Sequence, residues 1–124
     1  MAYVAVGFGA VLGANLRYAI STWAADRWGA AFPYGTFLIN VSGAFAIGLV
    51  LAALATRGGF SPLVRLFLVT GFLGGYTTFS SYAWEALALG SDGAWARFGL
   101  YVVGSNLVGL IGVWLGAKLA LALA

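Results

Sequence analysis

GFLGGYTTFSSY, Gly71 to Tyr82, lies inside an otherwise apolar segment. Two adjacent glycines, two threonines and two serines make a poor continuous helix: glycine is the weakest helix former after proline, and hydroxyl side chains compete for backbone hydrogen bonds. A helix interrupted here would leave carbonyl oxygens without partners. In a lipid environment that is tolerated only against protein, a cavity or an ion.

The rest of the chain supplies that environment. Of the 124 residues, 63% are hydrophobic and 7% charged, whereas a soluble domain is usually about 25% charged. There is too little polar surface for a water-soluble body. Cysteine and histidine are absent, which removes disulfides, thiolate nucleophiles and the commonest general base and metal ligand. The three acids, Asp26, Glu85 and Asp92, are widely spaced. No nucleophile–base pair is visible, so no enzyme is expected. The net charge of +3 is too small to imply a nucleic-acid partner.

A spanning helix needs about 20 mostly apolar residues. Four stretches qualify: Ala2 to Trp23, Phe32 to Thr56, Pro62 to Leu89 and Ala96 to Ala122. The expected architecture is all-α, a single four-helix transmembrane domain over residues 1–124, with the third helix broken at its centre. The connections AADRWGAAFP, TRGGFSP and GSDGAWAR carry glycine, proline and charge, as loops do.

Four spans put Arg57, Arg65 and Lys118 on one side and Arg17, Arg27 and Arg97 on the other. Lys/Arg bias normally sets orientation; an even split predicts insertion both ways and an antiparallel pair with a two-fold axis in the membrane plane. The alternative is that so few charges carry no signal. Four short helices enclose little space, and an oligomer is expected on size alone.

Within the spans, Gly9 and Gly13, and Gly112 and Gly116, are read as packing positions. Asn40, in GTFLINVSG with Thr36 one turn earlier, is either interhelical glue or a donor lining a wet path. Gly74, Gly75, Thr77 and Thr78 mark either a kink relieved by hydroxyls or unwound carbonyls that hold a cation, as unwound helices hold sodium. Phe79 and Tyr82 share a face; ring edges attract an anion, and ring faces a cation. Glu85 is the one acid within a span, where an ionisable group is functional by default, though it lies near the span's end. Tyr101, Ser105 and Gly109 fall in register on the fourth span, with Asn106 one position off. Amide and hydroxyl donors, aromatic edges and little negative charge together suit a small anion.

These residues resemble the Fluc/CrcB fluoride channels along essentially the whole chain. GANLRY at Gly13–Tyr18, GTFLINVSG at Gly35–Gly43 and GFLGGYTTFSSY at Gly71–Tyr82 carry the resemblance. It implies a fluoride-selective channel in the cell inner membrane that lowers cytoplasmic fluoride by passive flow. It implies an antiparallel dual-topology homodimer with two pores and a structural sodium ion held at the interface by backbone carbonyls. Carried over residue by residue, Gly74 and Thr77 match the sodium positions. Asn40, Thr36, Phe79, Arg17, Glu85, Tyr101 and Ser105 match the fluoride path. Two departures stand out: Tyr82 falls where the family has a second pore phenylalanine, and Gly109 where it has a further serine. The rival is a small multidrug-type proton-coupled exporter, which would need an embedded carboxylate, typically in the first span; that span has none. A scaffold subunit would show small-residue packing without polar rails.

Overall fold

The computed structural model describes residues 1–58 and 60–124 and is built from helices. Helix α1 covers Ala2–Trp28 and α2 covers Tyr34–Arg57. The third segment comes in pieces: α3 (Pro62–Arg65), a π-helical stretch (Leu66–Leu73), α4 (Gly74–Tyr76) and α5 (Phe79–Ser91). Helix α6 covers Trp95–Ala122. Among the described residues four helical segments are long and apolar enough to cross a membrane: α1, α2, the composite Pro62–Ser91 and α6. The chain is a multi-pass membrane protein.

The first helix runs beyond Trp23, because Ala24 and Ala25 continue it and Asp26 and Arg27 extend from its end into the exposed rim. It stops at Gly29, whose φ of 75° suits a residue without a Cβ. Pro62 occupies the first turn of α3, where its missing N–H is no loss, and the Ser61 hydroxyl caps that turn by accepting from the Val64 N–H at 3.3 Å.

Packing is organised by glycine. Helix α1 lies along the π-helical stretch and α4, and α2 lies along α6. A Cβ on Gly9 would run into the carbonyl of Phe67, and one on Gly13 into that of Phe72. From the opposite side, a Cβ on Gly75 would meet the carbonyl of Ala10. The second pair repeats the arrangement, with Gly116 against the Phe45 carbonyl and Gly48 against that of Val113. Backbones therefore touch where water provides no drive for association, as expected of small residues between membrane helices. The glycine pair at the centre of the third segment divides its work: Gly75 makes the approach to α1, while Gly74 has only the Val69 carbonyl within 4 Å of a built Cβ, at 3.7 Å.

Few residues are fully buried within the described chain. Ile39 and Tyr101 are fully enclosed, and Leu73 and Tyr76 nearly so. Large apolar side chains cover the outside, as a lipid surrounding requires. Phe79 is the telling case: it lies mid-span and is 80% exposed.

Candidate pore-lining site

The site is built around two extended residues. Thr77 (φ −82°, ψ 157°) and Thr78 (φ −148°, ψ 116°) separate α4 from α5. Asn40 of α2 clamps them from the neighbouring span: its Nδ2 donates to the Thr78 carbonyl at 2.9 Å, and its Oδ1 accepts from the Thr78 N–H at 2.8 Å. The Thr78 hydroxyl then caps α5, accepting from the Ser81 N–H at 3.2 Å. Thr77 is tied back, its N–H and its hydroxyl both donating to the Leu73 carbonyl, at 3.0 and 2.9 Å.

This wiring leaves two carbonyls without their usual donors. In a continuous helix the Thr78 N–H would close on the Gly74 carbonyl and the Ser81 N–H on the Thr77 carbonyl; Asn40 and the Thr78 hydroxyl take those N–H groups instead. Gly74 and Thr77 both line a cavity of about 310 Å³ with Asn40, Gly43 and Leu73. Among the described residues no group of three or more His, Cys, Asp or Glu is placed to hold a metal. Any cation here would therefore be taken by main-chain and hydroxyl oxygens, the ligand type hard cations prefer.

A second cavity, of about 330 Å³, shares Asn40 and Thr77 with the first. Its wall comprises Asn40, Thr78, Phe79, Tyr82, Ser105 and Gly109, along with Asn106 and the apolar side chains of α6. The Ser105 hydroxyl oxygen is buried and has no hydrogen-bond partner among the described residues. The Phe79 and Tyr82 rings sit 5.6 Å apart at 43°, and Tyr82 leans on Tyr101 at 5.3 Å and 48°.

Glu85 is a hub between three spans. Thr36 Oγ1 donates to its Oε1 at 2.7 Å, and the Tyr101 hydroxyl donates to its Oε2 at 2.6 Å. Such hydroxyl–carboxylate bonds are among the stronger ones. Glu85 also borders two cavities toward the end of the bundle, one with Pro33, Gly35 and Thr36 and the other with Asp92 and Arg97.

Spacing along one helix had put Tyr101 and Ser105 in a single rail. The structure gives them different states: the Tyr101 proton is committed to Glu85, and the Ser105 hydroxyl has no partner among the described residues. Thr36 is committed in the same way. Arg17, half-buried on α1, lines neither of the two central cavities. Two polar contacts escaped the sequence reading. The Ser42 and Tyr76 hydroxyls lie 2.8 Å apart between α2 and α4, and Asn106 Nδ2 donates to the Tyr82 hydroxyl at 3.1 Å. The only sequence signal for either was a polar residue inside a span.

Fold and site define an all-helical protein with four segments able to span a membrane and a polar, donor-lined cavity beside the extended residues Thr77 and Thr78. Residues 4–117 match the family of CrcB-like proteins described as camphor resistance (CrcB), and the chain belongs to that family. It is 53% identical over 120 residues to a protein of Roseiflexus sp. named fluoride-specific ion channel FluC, covering 97% of each chain. Proteins of the same name from Chloroflexus aurantiacus and Acidobacterium capsulatum are 52% and 45% identical over 116 residues. These matches cover 94% of this chain in both cases, and 92% and 93% of theirs.

Proposed function

We propose that this protein is a fluoride-selective channel, not an enzyme, that passes the ion passively across the cell inner membrane and lowers cytoplasmic fluoride. One observation carries the reading: the central cavity is lined by donors with protons to spare and aromatic rings, with no carboxylate in its wall. The ion is the one named for the relatives.

A small anion entering this passage exchanges water for protein hydrogen bonds, and each must be replaced or the barrier rises steeply. Asn40 uses one N–H on Thr78 and keeps the other. Ser105 borders the passage with a hydroxyl that has no partner among the described residues. The ring edges of Phe79 and Tyr82 add positive quadrupole lobes. Glu85, engaged by Thr36 and Tyr101, sets the polar track toward one mouth; for Arg17 only its place in the GANLRY motif supports a position at a pore mouth.

Phe79's exposure is the reason to complete the passage with a second copy of the chain. In this reading two protomers insert in opposite orientations, consistent with the even split of Lys and Arg, and form an antiparallel homodimer with two pores in the lipid bilayer. The Gly74 and Thr77 carbonyls fit a structural sodium ion at the dimer interface, since their i+4 donors are engaged elsewhere. Bound there, sodium would neutralise carbonyl dipoles and fix a positive charge beside the anion path. The interruption at Thr77–Thr78 is then the break at the centre of the third helix.

The test is fluoride efflux from liposomes containing only this protein, read by a fluoride electrode, with valinomycin to carry potassium and chloride as control. Rapid efflux that excludes chloride and needs no proton gradient is expected. A requirement for a proton gradient would favour an exporter instead.

A further inference from the structure

Asn106 has two amide protons, and both positions are assigned by geometry. It is an exposed polar residue in an apolar helix, and its Nδ2 lies 2.8 Å from the Val102 carbonyl and 3.1 Å from the Tyr82 hydroxyl. A carbonyl can only accept, so the Val102 contact fixes which end of the amide is nitrogen. The same nitrogen must then donate its second proton to Tyr82. With its oxygen already accepting, Tyr82 has its own O–H proton left over.

The other hydroxyls around this ring are in a different state. Tyr101, in ring contact with Tyr82, donates to Glu85, and Thr36 donates to the same carboxylate. Tyr82 and Ser105 therefore supply the uncommitted hydroxyl protons bordering the cavity, joined by the second N–H of Asn40. One turn beyond Ser105 the wall is Gly109, with no group within 4 Å of a built Cβ and no donor to offer.

We infer that Asn106 is a positioning residue: it holds the Tyr82 phenol as an acceptor so that the phenolic proton faces the passage and binds the anion beside Ser105 and the bare Gly109 wall. The inference rests on the fluoride-channel reading. Its chemistry is one charge-assisted hydrogen bond from Tyr82, made stronger because the phenol oxygen simultaneously accepts.

The experiment is a double-mutant cycle on fluoride efflux, using Tyr82→Phe, Asn106→Leu and the pair, each checked for native oligomeric profile and melting temperature. Tyr82→Phe keeps the ring and removes only the donor. Its efflux is expected to fall about tenfold, the scale of one hydrogen bond to an ion. Asn106→Leu, at an exposed position, is expected to fall by a similar factor when Tyr82 is present and to change nothing further when Phe replaces it. A merely structural role for Asn106 would reduce efflux equally in both backgrounds, and that result overturns the inference. So does Tyr82→Phe conducting like the native protein. Efflux by the native protein separates the two failures: a native protein that moves no fluoride overturns the channel reading and this inference with it, whereas native efflux without coupling in the cycle overturns this inference alone.

Discussion

Asn40→Asp changes one atom type at the joint between α2 and the extended threonines. The new carboxylate keeps the bond from the Thr78 N–H, now charge-assisted, but places an oxygen 2.9 Å from the Thr78 carbonyl where a donor stood. Locally these effects oppose each other, each on the scale of about 1–3 kcal/mol. The effect on an anion is one-sided. Asn40 borders both central cavities, so a unit negative charge would lie ~5 Å from the passing ion. At an effective dielectric constant of about 20 that costs the anion about 3 kcal/mol, which is on the order of a hundredfold in rate. Efflux from proteoliposomes, with the oligomeric profile and melting temperature measured beside it, is expected to show this collapse in a folded protein. Fluoride efflux within threefold of native would refute the placement of Asn40 on the path.

Two further substitutions test the architecture by thermal melting in detergent. Gly13→Ala drives a methyl into the Phe72 carbonyl and is expected to destabilise by about 1–3 kcal/mol, whereas Gly7→Ala, with nothing within 4 Å, should be neutral or slightly stabilising. Glu85→Ala orphans the hydroxyls of Tyr101 and Thr36, which are both buried, at about 1–3 kcal/mol each. Adding Tyr101→Phe to Glu85→Ala should recover part of that loss by removing one of the orphans.

The class of this protein is legible in the amino-acid sequence. Composition excludes a soluble enzyme, and four apolar stretches define the spans, because lipid demands internally satisfied backbone of a fixed length. The glycine pairs are legible too, since close backbone approach admits no Cβ. Gly71–Tyr82 announces an interruption through helix propensity, which is a local property. The boundaries are less legible: α1 continues to Trp28 because alanine favours helix whether or not lipid surrounds it.

The state of each donor was decided by tertiary structure alone. Spacing shows which residues share a helical face; it does not show whose proton is already taken. Tyr101 and Ser105 are alike in sequence register, yet a carboxylate from α5 takes one proton and no described residue takes the other. Gly74 and Gly75 are neighbours, yet one packs against α1 and the other faces a cavity. Asn106 is an ordinary polar residue until α5 brings the Tyr82 hydroxyl to it. A hydrogen bond joins two groups whose separation along the chain carries no information about their separation in space, so the sequence determined which groups are available and the packing of the helices determined which of them are free.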